Sequence, residues 1–351
     1  MILLLSFDVR RQGGIERLTK HVHHSLQANG YEVILLTPQR IGPGEIGRLL
    51  GRVWFLLRLI QLLRCSHQVV SMHVLLLKPL RWMRWHLKKD QEVLCWVHGI
   101  EVWGRNRIIN RESLELCQRL IASSSFTKQQ LEPLSCPISI VHPMADLNDP
   151  SDPPAAMPAS LTLLTVARMC RSERYKGHSL ILEALQELQR MVKLPQGFLW
   201  EVVGDGDELP ELMHHASEVD LEHWVQFHGC LSDNELRAAF ARSSVFVMPS
   251  HFSIDIHGKA SGEGFGIVYL EAALAGRASI ACNEGGQTDL IRDGETGWLI
   301  PPRATALAQV LQDLINNPGL AEERGRMART YALKNFSGDR FSKQIEEALN
   351  I

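Results

Sequence analysis

Short apolar runs alternate along this chain with longer stretches whose apolar residues recur at helical spacing. Ile2–Phe7 is an apolar run that reads as a strand. Gly14–Asn29 reads as a helix and Tyr31–Thr37 as a second strand. Strand-like segments return at Val69–Met72, Val93–Val97, Leu120–Ala122 and Ile138–Val141. This strand–helix alternation predicts a parallel sheet covered on both faces. From Asn148 to Ser160 the periodicity breaks, with four prolines in thirteen positions. Prolines at that density continue neither a helix nor a central strand, so the segment reads as a linker. A second series follows it. Leu161–Val166, Leu199–Val203, Val225–Phe227, Val245–Met248 and Ala278–Ala281 are its strands. Ile267 to Leu274 reads as a helix closed by Gly276, and helical stretches at Ala304–Asn316 and Gly319–Leu349 end the chain. The pattern predicts an α/β protein with domains at 1–148 and 161–335, a linker at 149–160 and a terminal helix at 336–351.

The length, 351 residues, suits two domains of ordinary size. The net charge of −2 hides an asymmetry. Residues 1–89 hold 14 lysines and arginines against 4 acidic residues, a balance of +10; residues 151–351 hold 18 against 27, a balance of −9. The basic N-terminal part suits an anionic surface or acceptor. The acidic C-terminal part argues against general nucleic-acid binding. Seven cysteines stand singly, without C-x-x-C or zinc spacing, which fits reduced, mostly buried thiols in a cytoplasm. The first residues lack the basic region of a signal peptide, and no uninterrupted apolar stretch reaches the ~18 residues of a spanning helix.

Two N-terminal stretches stand out. Ile46 to Leu63 is mostly apolar, interrupted by Arg48, Arg52 and Arg58, which fall within about 120° of a helical wheel. Lys78, Arg81, Trp82, Arg84, Trp85, Lys88 and Lys89 form a basic-aromatic run. Together they suit peripheral attachment to an anionic membrane. The alternative is a core helix followed by a solvated basic helix.

The chemistry concentrates in Gly262-Glu263-Gly264-Phe265-Gly266-Ile267-Val268-Tyr269-Leu270-Glu271. A glycine turn opens the helix at Ile267. A helix start offers unpaired N–H groups and the positive end of the dipole, which suits a diphosphate. Gly264 and Gly266 let backbone approach that anion. Glu263 lies before the helix, beside whatever hangs from the phosphate. Glu271 lies more than one turn on, placed to accept two hydroxyl hydrogen bonds. The layout describes a site for a nucleoside-diphosphate sugar. Arg168 lies just after a strand and Lys176 eight residues on; strand ends in doubly wound sheets face the ligand crevice. These cations can neutralise a diphosphate. Gly204-Asp205-Gly206 also follows a strand but lacks the third glycine of a dinucleotide fingerprint, Leu209 standing there.

The pattern E-G-F-G-x-x-x-x-E resembles the signature of retaining glycosyltransferases of family 4, and the likeness runs through roughly residues 1–345. It implies the GT-B fold, two Rossmann-like domains with parallel sheets facing a central cleft, and a terminal helix crossing back to the first domain. It implies that Glu263 holds the donor sugar and Glu271 the ribose. Arg168, Lys176 and the backbone of Phe265, Gly266 and Ile267 would bind the diphosphate. Gly204, Gly229 and Cys230 would line the nucleotide. His98, at the end of Val93–Val97, matches the family's histidine facing the sugar. Gly13 and Gly14, in Arg10-Arg11-Gln12-Gly13-Gly14, match its N-terminal glycine loop. Ser124 and Thr127 match an S-x-x-T helix start, where capping explains the hydroxyls. Gly285 and Gly286 resemble a G-G-x-x-E support loop with Asp289 at the acidic place. Two departures occur: Met144-Ala145 replaces the usual N-G, and Ala278 the usual Pro. The insert His251–Ser261 is a candidate for setting acceptor choice.

The resemblance implies transfer of a hexose, mannose or glucose, to an acceptor hydroxyl with retention. Within the family, E-R-Y-K-G and E-G-F-G-I-V-Y-L-E are similar to bacterial enzymes making mannose-containing lipids and surface polysaccharides, which points to a lipid-linked or oligosaccharide acceptor. No cofactor and no metal are expected, since basic residues already take the phosphate role. Three alternatives stay open. A GT-B epimerase needs further acid/base carboxylates. An NAD-dependent oxidoreductase needs G-x-G-x-x-G on the first strand, which Arg10–Gly14 does not supply. A non-catalytic sugar-binding homologue would not need Arg168, Lys176, Glu263 and Glu271 together. The base, UDP or GDP, is not specified by sequence.

Overall fold

The computed structural model describes residues 1–10, 13–147 and 151–351. Arg11 and Gln12, in the expected glycine loop, and the linker residues Asn148, Asp149 and Pro150 lie outside the described residues. The chain forms two compact units. The first comprises Met1–Met144, Ile256–Ala260 and Gly338–Ile351; the second comprises Ala145–Asp255 and Ser261–Ser337.

The first unit is built on β1 (Ile2–Leu5), α1 (Gly14–Ala28), β2 (Val33–Leu36), α2 (Gly44–Leu63), β3 (Gln68–Ser71), α3 (Leu77–Trp82) and β4 (Glu92–Val97). It continues with α4 (Arg105–Ile109), α5 (Arg111–Leu114), β5 (Arg119–Ala122), α6 (Ser125–Leu131) and β6 (Ile138–Ile140). Its six parallel strands run in the order β2-β1-β3-β4-β5-β6. Leu3, the middle of the opening apolar run, pairs with Ile34 on one side and Val69 on the other. Leu3, Leu4 and Leu5 are fully buried, as a strand covered on both faces requires. Each such leucine contributes roughly 1.5–3 kcal/mol of burial.

The second unit holds β7 (Thr162–Val166), α7 (His178–Met191), β8 (Leu199–Val203), α8 (Leu209–Glu218), β9 (Val225–Gly229), α9 (Asp233–Arg242) and β10 (Val245–Val247). The insert carries two short strands, β11 (Ser253–Ile254) and β12 (Ala260–Ser261), and the Ser253 and Ser261 hydroxyls meet at 2.9 Å. Then come α10 (Ile267–Leu274), β13 (Ala278–Cys282), β14 (Gly297–Ile300), α11 (Ala304–Asn316) and α12 (Gly319–Asn335). The parallel order is β14-β13-β10-β7-β8-β9. β14 was not expected from the pattern: four residues between Thr296 and a Pro-Pro pair carry too short a signal. Its pairing of Trp298 with Ile280 on β13 secures it.

The helical stretch expected over Gly319–Leu349 is two helices. α12 stops at Asn335, where Phe336 leaves helical geometry and packs on Phe265 and Tyr331, with ring centroids 6.0 and 5.9 Å away. α13 (Gly338–Leu349) belongs to the first unit. Its Phe341 and Ile345 enter the core with Leu18, Val22 and Trp96, and the Ser342 and Ser25 hydroxyls meet at 2.7 Å.

Candidate active site

Three loops at the C-terminal edge of the second sheet are tied together by their backbones. After β7, Ala167 N–H donates to the Val203 carbonyl at 3.0 Å and Met169 N–H to Asp205 at 2.9 Å. After β8, Gly204 N–H donates to Gly229, the last residue of β9, at 2.8 Å. A Cβ on Gly204 would stand 2.0 Å from the Ala167 carbonyl oxygen, so glycine there lets the loops close-pack. The expected residues Arg168, Gly204, Gly229 and Cys230 thus share one edge, the ligand side of a doubly wound sheet.

Beside them stands the glutamate turn. Gly266 N-caps α10 at φ 89°, ψ 65°, and no side chain caps the helix. That left-handed conformation favours glycine, and a Cβ there would meet the Tyr269 ring at 2.5 Å. The first turn of α10, from Ile267, therefore presents backbone donors that the helix does not use. Phe265 is buried against Phe336, which pins the turn from behind. Glu263 is ion-paired with Lys176, and both side chains are largely buried. Burial lowers the Lys176 pKa, but Glu263 and Tyr175 raise it further, and the net effect is upward. Burial pushes the Tyr175 phenol up to about 12, with the Lys176 ammonium 5.3 Å from its ring centre. Glu271 lies on α10 and is 4% exposed.

The remaining basic residues of the loop separate cleanly. Arg168 is mostly exposed and paired with Glu173. Arg174 is held by Glu208 and Glu211, each at 2.7 Å, and Arg171 lies 3.6 Å from Glu211. These acidic partners account for Arg171 and Arg174 as structure. Among the described residues no group of three or more His, Cys, Asp or Glu side chains is placed to hold a metal ion.

In the first unit, His98 follows β4. Its Nε2 lies 2.7 Å from the Met72 carbonyl, which only accepts, so the hydrogen sits on Nε2. Nδ1 lies 3.1 Å from Ser123 Oγ, which also accepts the Trp96 indole N–H at 3.0 Å. The ring is oriented by internal partners, and a sugar contact through Nε2 requires exchange of the Met72 bond. His73 stacks on it at 6.4 Å and Phe7 lies 5.0 Å beyond His73, so the ends of β1, β3 and β4 present three rings in a row. Gly13 N-caps α1 in extended backbone, and Gly14 begins that helix. Ser124 caps α6 by accepting the Thr127 N–H at 3.1 Å, and Thr127 Oγ1 donates to the His98 carbonyl at 3.3 Å.

Sequence reasoning missed several supports. Gln287 is fully buried, and its amide donates to the carbonyls of Ser250 at 2.8 Å, Cys282 at 3.1 Å and Glu284. It fixes the loop whose Gly286 N–H donates to the Glu263 carbonyl at 2.8 Å. Glu173 pairs with Arg168. A lone glutamine or glutamate carries no sequence signal for such a role; only its three-dimensional neighbours reveal it.

Comparison with known proteins agrees with this geometry. The model "Glycosyltransferase Family 4" matches residues 12–149, and "Glycosyl transferases group 1" matches residues 160–331. A GDP-mannose-dependent alpha-(1-6)-phosphatidylinositol monomannoside mannosyltransferase of Mycolicibacterium smegmatis is 32% identical over 179 residues, 50% of this chain and 44% of that protein. A D-inositol 3-phosphate glycosyltransferase of Streptomyces avermitilis is 30% identical over 231 residues, 61% of this chain and 48% of that protein. The chain thus spans just under half the length of these curated relatives. Among solved structures, Anabaena Alr3699/HepE in complex with UDP and glucose has a TM-score of 0.73 at 18% identity, covering 99% of both chains. Sucrose-phosphate synthase from Thermosynechococcus elongatus has a TM-score of 0.77 at 18% identity, covering 99% of this chain and 98% of that one. With both halves matched by glycosyltransferase models and the two six-stranded parallel sheets sharing the GT-B fold of these structures, the chain belongs to the family 4 glycosyltransferases.

Proposed function

We propose that this protein transfers a hexose from a nucleoside diphosphate to an acceptor hydroxyl with retention of configuration. The observation that carries the proposal is the common edge of one sheet holding Arg168, the Lys176–Glu263 pair and the uncapped start of α10. Arg168 and Lys176 would take up charge on the diphosphate as the sugar bond breaks, together with the backbone N–H groups of Phe265, Gly266 and Ile267. Such preorganised donors act at the leaving group without reorganising. Lys176 serves two partners in turn: Glu263 in the free protein, and an incoming phosphate when the donor binds. That exchange would release the Glu263 carboxylate to accept hydroxyls of the sugar. Glu271 would accept the ribose diol, and the backbone around Gly229 and Cys230 would meet the base. His98 is carried as the group that orients the sugar. The two glutamates are not an acid–nucleophile pair, because they belong to one turn and one ligand.

Relatives that are named for GDP-mannose and inositol phosphate support a mannose or glucose donor and a lipid-linked or oligosaccharide acceptor, as in surface glycan synthesis. The fold-level neighbour solved with UDP and glucose supports the nucleotide class. The test is incubation with UDP-glucose and GDP-mannose, following nucleotide release and the anomeric proton of the product by NMR. An axial product from an axial donor is expected. An inverted product, or no nucleotide released from any donor with candidate acceptors, would sink the proposal.

A further inference from the structure

α2 is the longest helix of the first unit, about 30 Å at 1.5 Å per residue. Its inward face is Gly47, Gly51, Phe55, Leu59, Leu62 and Leu63, all buried. Gly47 and Gly51 lie against the Gly42 and Gln39 carbonyls, so the helix is seated by close backbone approach. A globular protein then turns a polar face to water. Here the opposite face is apolar. Ile46 is 74% exposed, Leu49 61% and Leu57 65%, with Val53 and Trp54 between them. At about 100° per residue the exposed apolar positions occupy a sector of roughly 160° centred opposite the core. The arginines do not interrupt it: Arg48, Arg52 and Arg58 lie outside the exposed apolar sector, with Arg48 and Arg52 exposed and Arg58 half-buried. The sequence alone left a core helix as the alternative, but the structure shows an apolar stripe that the described residues leave exposed.

A second exposed patch lies in the same unit. Trp82, at the end of α3, and Trp85, just beyond, are 74% and 75% exposed amid Lys78, Arg81, Arg84, Lys88 and Lys89. Gln91 anchors the end of this segment to the end of α2, its amide donating to the Leu63 carbonyl at 3.0 Å and the Ser66 carbonyl at 2.9 Å. Residues 41–89 hold nine lysines and arginines against one acidic residue, Glu45. Exposed apolar side chains together with cations and exposed tryptophans suit the components of a bilayer surface: acyl chains, anionic headgroups and the interface between them. A second copy of the chain fits poorly, because a twofold contact would bring the same nine cations together. Among the described residues no helix is long and apolar enough to cross a membrane, so the contact is with one leaflet.

We infer that α2 and the Trp82–Trp85 segment form a docking surface for an anionic lipid leaflet, with α2 lying in its plane. The inference rests on the transfer reading only in supplying a place for a lipid-linked acceptor. Its test uses neither donor nor acceptor, so either can fail without the other. The full chain is floated with vesicles of phosphatidylcholine alone and of phosphatidylcholine mixed with phosphatidylglycerol, at low and high salt. Wild type is expected to float with the anionic vesicles and to fall off by about tenfold or more in high salt or on neutral vesicles. Leu49→Glu combined with Val53→Glu and Leu57→Glu should also lose about tenfold or more, since each charge enters the apolar layer. These positions are exposed, and circular dichroism with thermal unfolding confirms the variant's fold. Trp82→Ala with Trp85→Ala should give a smaller loss and abolish part of the blue shift of tryptophan emission. The inference is overturned if wild type stays at the bottom of the gradient with anionic vesicles at low salt. It is equally overturned if the triple variant floats like wild type, or if wild type dimerises without lipid through a face that the triple variant disrupts.

Discussion

Gly286→Ala isolates the support of the glutamate turn. A Cβ at Gly286 would stand 2.1 Å from the Gly264 carbonyl oxygen, 2.4 Å from its carbon and 2.5 Å from Phe265 Cα. All three are backbone atoms, so no rotamer change relieves the clash. Ordinary contact lies at 3.4–4 Å, and the turn must therefore retreat by about 1 Å. Retreat also breaks the 2.8 Å bond from Gly286 N–H to the Glu263 carbonyl. Overpacking of this kind costs about 1–3 kcal/mol and the lost hydrogen bond about 1 kcal/mol more. The larger effect falls on turnover, because displacing a catalytic group by about 1 Å lowers rates on the order of 10²-fold. The assay is nucleotide release at saturating donor, beside thermal unfolding to show that the variant is folded. Gly319→Ala is the control: its Cβ would meet only Asn317 Oδ1 at 3.5 Å, and both activity and stability should hold. A folded Gly286→Ala enzyme within about threefold of wild-type turnover would refute the claim that this loop positions Glu263.

Three further outcomes are expected. Lys176→Ala and Arg168→Ala should both lower turnover more than donor binding, since leaving-group charge peaks in the transition state. Only Lys176→Ala should also destabilise, by about 3–5 kcal/mol in urea titration, because it strands the buried Glu263 while Arg168 is mostly exposed; equal stability of the two variants would contradict this. Glu271→Gln should weaken nucleotide affinity by about 1.5–3 kcal/mol in calorimetry, and unchanged affinity for UDP and GDP alike removes Glu271 from the site. Acid should weaken the fold through His73 and His178. Burial holds both at about 4, with Lys176 lowering His178 further and, at His73, Glu101 opposing and His98 adding to the effect. A folded-state pKa below the ordinary histidine value of 6.5 means the unfolded chain takes up the proton first. The stabilisation is present above about pH 6.5 and is lost as pH falls toward about 4, by roughly 3 kcal/mol per histidine. His178→Phe should flatten that decline between pH 7 and 4.5, and an unaltered pH profile would count against it.

Much of this architecture was legible before any coordinates. Buried parallel strands must be nearly all apolar, so runs such as Ile2–Leu5 and Leu199–Val203 announce themselves; the described part of the proline-rich stretch expected as a linker belongs to the second unit. The signature around Glu263 was legible because glycine at Gly266 meets a left-handed backbone that other residues adopt at a cost, and so leaves a fixed mark in the letters. What depends on distant partners left no such mark. Lys176 and Glu263 stand 87 positions apart, and no local pattern pairs them. Gln287 became a pillar only where the ends of β10 and β13 brought three carbonyls to one amide. The residues around α2 show the same division most plainly. Periodicity gave that helix an arginine sector and an apolar sector, but could not say which faced the core. Close packing of Gly47 and Gly51 on neighbouring backbone settled it, seating Phe55 and Leu59 inward and leaving Ile46, Leu49, Val53 and Leu57 toward the solvent. A helix carries its own amphipathic pattern in its sequence; its rotation about its axis is fixed only by what it packs against.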